Sequence, residues 1–356
     1  MNSAATVFPL GDEAFSWVQQ GGRPTRIGLM QRFLYRWQCY WFERNLSLQR
    51  LLQPVSTSPL ISDPVFILGL WRSGTTFLHN LLGVCPGMIC PATWQCMNPS
   101  TFRLRPPPLV SKTVQRPMDG FSIDTFSPQE DEFALLALGA PSVYRGFFDP
   151  RRIEELAHWL DPDVWTARGS ADWVMLWREF LAGVANGKKG RLLLKSPSHT
   201  FRIRALLKEF PGATYIWLVR DPEEAFFSNR KMWVSMFEKY ALWEWETSRL
   251  DEFLRCSYYH AAQCLAYAAS AVQKDRLVIV DFDRLMSNPS ETIEDINRRL
   301  SLGVWSEMKI AVAQTAAGKA EHRKDTYPGE TLTPGLVNAV DLLRAVQKTA
   351  LASHGL

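Results

Sequence analysis

The sequence predicts an α/β fold: a central parallel sheet flanked by helices in three layers, with a phosphate-binding loop after the first strand. Two observations carry this. Short, largely apolar runs recur at Val65–Leu68, Arg191–Lys195, Thr214–Val219 and Leu277–Val280, with helical stretches between them. Strands alternating with helices imply parallel β-α-β crossovers. The first run also leads through Gly69-Leu-Trp-Arg-Ser-Gly74 into helical spacing at Phe77, Leu78, Leu81 and Leu82. Strand, glycine-bounded turn and helix is the arrangement in which backbone N–H groups and a helix N-terminus converge on an anion.

Taken in order, residues 1–24 are rich in glycine and polar residues, with a short helix expected around Glu13–Gln19. From Arg26 to Leu52 the pattern is helical, with Met30, Phe33, Leu34, Trp37, Tyr40 and Trp41 on one face and Arg32, Arg36, Arg44 and Arg50 beside it. Such a helix can lie on an anionic membrane or mediate a homodimer, but packing of that face on its own domain is the expectation. Residues 64–84 form the strand–loop–helix unit. Residues 86–128, with Arg105-Pro-Pro-Pro108, read as a loop-rich insertion over a site. A helix is expected over 129–140, with Ser127 as N-cap, Pro128 at its first position and acids in its first turn. Further helices are expected near 151–160 and 171–186, then over 201–209, 223–233, 248–273 and 289–301, and at the C-terminus. The expected division is an N-terminal helical extension (1–60), an α/β domain (61–330) and a C-terminal helix (331–356).

Composition narrows the class. The chain has 356 residues, 46% of them hydrophobic, and a net charge of +4, too small to argue for a nucleic-acid partner. Fourteen Trp and twenty Phe point to aromatic packing, or to an apolar acceptor cleft. The six Cys at 39, 85, 90, 96, 256 and 264 form no C-x-x-C pair, so free, mostly buried thiols in a reducing compartment are expected. No basic, then apolar N-terminal leader is visible, and no apolar run approaches the roughly 20 residues of a membrane span. The expectation is a cytoplasmic protein.

Gly69-x4-Gly74 has the glycine spacing of a nucleotide loop, but Thr75 stands where the lysine that reaches a triphosphate belongs. Arg72 supplies a cation inside the loop instead. This P-loop-like element therefore suits a phosphate-bearing nucleotide other than a conventional ATP or GTP substrate. Arg220 ends the third main strand, where ligands bind in open parallel sheets, and Ser228 follows two helical turns later. Together they can grip a second phosphate. Taken alone, Asp221 and Pro222 also fit a plain helix start.

With these elements in order, the chain resembles the sulfotransferase family. Arg72-Ser-Gly-Thr-Thr76 looks like that family's 5′-phosphosulfate loop, and Ile216-Trp-Leu-Val-Arg220-Asp-Pro222 through Ser228 like its 3′-phosphate motif. Leu193-Leu-Lys195-Ser-Pro-Ser-His199 and Pro128-Gln-Glu130-Asp-Glu132 are similar to segments of a bacterial-type branch. The resemblance spans about residues 64–325 and implies a PAPS-dependent enzyme: 3′-phosphoadenosine 5′-phosphosulfate (PAPS) as co-substrate, no metal, and a small-molecule or lipid-like hydroxyl as acceptor. Arg72, Ser73, Gly74, Thr75 and Thr76 would hold the 5′-phosphate, Arg220 and Ser228 the 3′-phosphate, and Lys195 would stabilise charge on the leaving group. Arg323 and Lys324, in Glu321-His-Arg-Lys324, would close on the nucleotide. Glu130 and His199, with Glu132 beside them, compete as general base, Glu130 by a small margin. Cytosolic relatives space their base as Lys-Thr-His, whereas here it is Lys195-Ser-Pro-Ser-His199. Two other readings compete: a degenerate P-loop kinase or NTPase with Asp281 as its acid, and a non-catalytic nucleotide-binding scaffold.

Overall fold

Apolar runs too short for helices become strands when both their faces are covered, and this chain uses four of them to build one parallel sheet. The computed structural model describes residues 8, 10–19, 22, 24–56, 63–115, 122–165, 167–318 and 331–356. In order these form α1 (Asp12–Gln19), α2 (Leu29–Leu52), β1 (Val65–Leu68), α3 (Thr75–Gly83), β2 (Met88–Ile89), α4 (Thr93–Met97), β3 (Thr113–Gln115), β4 (Ser122–Asp124), α5 (Glu132–Ala137) and α6 (Ala167–Ala185). There follow β5 (Arg191–Lys195), α7 (Ile203–Glu209), β6 (Thr214–Val219), α8 (Pro222–Tyr240), α9 (Thr247–Ala271), β7 (Leu277–Asp281), α10 (Phe282–Ser287), α11 (Pro289–Leu300), α12 (Trp305–Ala317) and α13 (Pro334–His354). Short 3-10 helices lie between α5 and α6 and at Pro197–Arg202.

The chain divides into two compact units. The sheet unit comprises Ile61–Cys90, Lys188–Asn229 and Leu254–Leu356. Its strands run in the order β2-β5-β1-β6-β7, all parallel, with Ile67 opposite Lys195 and Ile216, and Val219 opposite Asp281. Alternation splits β1 between the faces. Val65 and Ile67 join Leu78, Leu81 and Leu82 of α3, Ile293 and Ile296 of α11 and Val312 of α12 in one core. Phe66 points the other way, stacked on Tyr215 at 5.7 Å and tilted against Phe210. The C-terminus also joins this unit: Leu356 N donates to Ile279 O at 3.2 Å, beside a parallel bridge from Gly355.

The helical unit comprises Met1–Leu60, Pro91–Gly187 and Arg230–Phe253. Aromatic side chains fill it: Trp173 stacks on Trp177 at 4.8 Å, and Trp233 meets Phe147 and Phe253 at 4.7 and 5.2 Å. Much of the tryptophan content is thus core packing. Helices α8 and α9 contribute residues to both units.

Three expectations are corrected here. The helix expected over 129–140 begins only at Glu132. Pro128 bridges to Ala92, Gln129 N donates to Pro91 O at 2.8 Å, and the Ser127 hydroxyl accepts from Asp124 N at 3.1 Å. A local turn and two non-local partners satisfy groups that a helix start would otherwise have used. The 86–128 segment is less irregular than its prolines suggested, since it carries α4 and the β3–β4 hairpin. The largest correction concerns α2. Its expected packing face (Met30, Phe33, Leu34, Trp37, Tyr40, Trp41) is 37–71% exposed, while Tyr35, Cys39, Phe42, Leu46 and Gln49 are buried. Periodicity marks an apolar stripe without saying which of two meets the core. Here Tyr35 stacks on Phe15 at 4.9 Å, and the Gln49 amide bonds Pro99 O and Arg103 N at 2.8 Å.

The cysteines are free, as expected. Burial pushes the Cys85 thiol up to about 11 and the Cys39 and Cys90 thiols to about 12, so they remain protonated and unreactive at neutral pH. No described helix is long and apolar enough to cross a membrane.

Candidate active site

The loop after β1 turns because three of its residues adopt positive φ: Gly69 (145°), Arg72 (66°) and Gly74 (92°). Two are glycines, which take this conformation without a Cβ penalty. Arg72 is not, and an arginine held there marks a loop that its surroundings over-determine. Space adds a second requirement. A Cβ on Gly69 would lie 2.6 Å from Leu218 O, and one on Gly74 would lie 2.6 Å from the Phe282 ring. Gly69→Ala is therefore expected to cost about 2–4 kcal/mol of stability, read by urea unfolding. An unchanged midpoint would mean the loop relaxes freely.

Neighbouring elements hold the loop in place. The Thr200 hydroxyl accepts from Gly69 N at 2.8 Å and donates to Gly69 O at 2.9 Å. The Ser73 hydroxyl donates to Leu70 O at 2.7 Å, so Ser73, almost fully buried, closes the turn. Gly74 then caps α3, whose first residues are Thr75 and Thr76. The four N–H groups at a helix start lack intrahelical partners and point out of it.

Each remaining strand of the sheet's centre delivers a residue to the same C-terminal edge. Lys195 ends β5, is buried, and donates from Nζ to Thr76 Oγ1 at 3.3 Å. Arg220 follows β6. It donates to Arg72 O at 2.9 Å and to Glu224 at 3.1 Å, with its guanidinium 4.6 Å from the Phe282 ring centre. The Arg72 side chain in turn donates from Nε to Ser228 Oγ at 2.9 Å. The two motifs read separately from the sequence are thus hydrogen-bonded to each other, and Arg72 is directed at Ser228. Beside them lies a small hollow lined by Leu70, Ser73, Thr200, Trp217, Arg220 and Gln347 among others.

Asp221 caps α8, accepting from Glu223 N and Glu224 N at 3.0 Å. Asp221 is therefore the plain helix start that its sequence suggested. From α13, Arg344 reaches Asp221 at 3.3 Å and Glu223 at 3.6 Å, tying the C-terminal helix to this motif. Asp281, the candidate acid of the kinase reading, instead accepts from Asp283 N and Arg284 N as the cap of α10.

The candidate bases have contrasting surroundings. His199 is fully buried, with its ring edge-on to Phe66 at 5.7 Å. In the helical unit, Asp131 and Glu132 are also fully buried. Asp131 accepts from Trp177 Nε1, and Glu132 accepts from the Ser142 hydroxyl, both at 2.6 Å. Glu130 is only half-buried, and accepts from the Tyr144 hydroxyl at 2.6 Å. Arg323 and Lys324 lie outside the described residues. Sequence reasoning missed Thr200, Phe282 and Arg344. Each acts through a contact distant in sequence, although Thr200 directly follows the Lys195–His199 segment and Phe282 directly follows Asp281.

The edge of the sheet thus gathers a glycine-bounded turn, a helix start, a strand-end lysine and two hydrogen-bonded arginines. Arg220 Nε is buried and has no hydrogen-bond partner among the described residues, which suits an arriving anion. Comparison with known proteins points the same way. The chain is 28% identical over 307 residues to the omega-hydroxy-beta-dihydromenaquinone-9 sulfotransferase Stf3 of Mycobacterium bovis, covering 85% of this chain and 77% of that one. The Stf3 of Mycobacterium tuberculosis matches equally. In fold it is similar to the crystal structures of sulfotransferase STF9 from Mycobacterium avium (TM-score 0.64, 19% identity, 98% of this chain and 99% of that) and STF1 from Mycobacterium tuberculosis (TM-score 0.63, 20% identity, 94% and 90%). The model of the sulfotransferase family matches residues 64–307, which take in every strand of the parallel sheet together with Arg72, Lys195, Arg220 and Ser228, and the chain belongs to that family.

Proposed function

We propose that this sulfotransferase uses PAPS as donor and the hydroxyl of a lipid-like small molecule as acceptor. The observation that carries the donor assignment is the linked pair of clamps: Arg72 on Ser228 at 2.9 Å and Arg220 on Arg72 O at 2.9 Å, with Lys195 on Thr76 at 3.3 Å. A nucleotide with phosphates at both the 3′ and 5′ positions needs two such anchors, and a triphosphate does not. In this reading the amides at the start of α3, with Thr75 and Thr76, bind the 5′-phosphate. Arg220, Ser228 and Arg72 bind the 3′-phosphate, because that is where the Arg72 side chain is directed. Ser73 and Gly74 shape the loop. Arg323 and Lys324 are proposed to cover the nucleotide.

The donor supplies a sulfuryl group whose bond to the 5′-phosphate breaks as the acceptor oxygen bonds to sulfur, leaving adenosine 3′,5′-bisphosphate. Lys195 stabilises the charge that develops on that phosphate. Glu130 takes the acceptor's proton. It is favoured over His199 because it is the half-buried candidate, while His199 is enclosed against Phe66. Tyr144 holds the Glu130 carboxylate in one orientation. The lipid-like acceptor is supported by the relative Stf3, which by its name acts on an omega-hydroxylated dihydromenaquinone.

Thermal unfolding tests the donor assignment. Adenosine 3′,5′-bisphosphate at a hundred times its Kd is expected to stabilise the protein by about 2.7 kcal/mol, and ATP with Mg²⁺ to leave it unchanged. Stabilisation by ATP–Mg²⁺ alone would return the kinase reading, and stabilisation by neither would favour the scaffold.

A further inference from the structure

Helix α2 is amphipathic in an unusual sense, because both of its sides are apolar. One stripe packs into the helical unit through Tyr35, Cys39, Phe42 and Leu46. On the other side, ten large apolar side chains from Leu29 to Leu52 are each 37–81% exposed. At 100° per residue they fall within a sector of about 140°. A continuous exposed face of this kind marks an interaction site. Its composition identifies the partner. Trp37, Tyr40 and Trp41 pack edge to face at 5.6–5.7 Å, and Trp and Tyr rings settle where an apolar phase meets water.

The charges on this face have one sign. Arg44 lies within the apolar sector, its guanidinium 5.2 Å from the Trp41 ring centre, and the exposed Arg36 lies on the sector's border. The only acid on α2 is Glu43, which is turned toward α1 and accepts from Asp12 N at 3.0 Å. An isologous dimer would place the same patch on both sides and bury a pair of Arg44 guanidinium groups without an acid from the sector to meet them. Anionic headgroups supply that countercharge.

We propose that this face of α2 docks on an anionic lipid bilayer, lying in the interface plane with its aromatic rings at headgroup level. The proposal stands apart from the choice of donor or acceptor, and its test involves neither. Full-length protein is sedimented with sucrose-loaded vesicles of phosphatidylcholine, with and without phosphatidylglycerol. Binding to the anionic vesicles is expected. Arg36→Gln with Arg44→Gln should weaken it about 30-fold, and Phe33→Ser with Trp37→Ser and Trp41→Ser by at least about a hundredfold. All of these side chains are exposed, so unchanged circular dichroism and Tm are expected, and the arginine pair serves as an independent check if the aromatic variant fails to fold. Absence of binding, or equal binding to both vesicle types, would overturn the proposal. So would a dimer in analytical ultracentrifugation that the arginine or aromatic substitutions convert to monomer while vesicle binding persists.

Discussion

Lys195→Met is expected to lower kcat by about a thousandfold while leaving the affinity for adenosine 3′,5′-bisphosphate within a fewfold of wild type. The reasoning starts from position. Lys195 is the last residue of β5, is buried, and points its ammonium at Thr76 in the first turn of α3. In the proposed role, a cation there would meet the 5′-phosphate end of the nucleotide, where negative charge grows as the sulfuryl group departs. Its effect is largest in the transition state, so the loss should fall on kcat rather than on binding. Methionine keeps most of the side chain's shape, which limits the disturbance to packing. Thr76→Val, which removes only the hydroxyl partner, should cost about ten- to a hundredfold, in line with one hydrogen bond to a charged group. Single-turnover kinetics with calorimetric binding separates the two effects. A Lys195→Met variant that turns over normally, or that has lost nucleotide binding instead, would remove Lys195 from the proposed role.

Glu130→Gln is expected to lower kcat by about 10²–10⁴-fold, the range for loss of a general base. Glutamine has the size of glutamate and can still accept from the Tyr144 hydroxyl, so the substitution tests proton transfer more than folding. Tyr144→Phe should give a smaller loss of about fivefold, because the carboxylate remains but loses a positioning bond. His199→Ala should behave differently. His199 is fully buried beside Phe66, and its truncation opens a cavity and should lower stability by about 1–3 kcal/mol with turnover of the folded fraction retained. If Glu130→Gln keeps near-wild-type turnover and His199→Ala abolishes it in folded protein, the assignment reverses.

These expectations rest on groups that were unequally visible in the amino-acid order. The strand–loop–helix unit at 65–83 was legible because every part of it is local: an apolar run, two glycines at a fixed interval, and helical spacing. Strands β5, β6 and β7 were legible for a related reason, since buried parallel strands are continuous apolar runs rather than alternating ones. Lys195 and Arg220 could be placed because a residue that ends such a strand must emerge at the sheet's C-terminal edge. Less was visible where a residue's partner is remote. Nothing local shows that Arg72 turns to Ser228, 156 positions away, or that Thr200 clasps Gly69, 131 positions away. The Pro128–Asp131 stretch looked like a helix start, and became part of a bridge to Ala92 because the neighbouring strand-like backbone supplied better partners.

The sequence by itself determined that this chain is a parallel α/β protein with a lysine-free phosphate loop, and that a strand-end lysine and arginine accompany it. These follow from short-range rules of periodicity, glycine conformation and strand ends. Only the tertiary structure decided three further points. It bonded the Arg72 side chain to Ser228, left Glu130 half-buried while enclosing Glu132 and His199, and turned the aromatic stripe of α2 outward. The physical reason is common to all three. Local pattern specifies what a side chain can do, whereas burial and long-range hydrogen bonding specify what it faces.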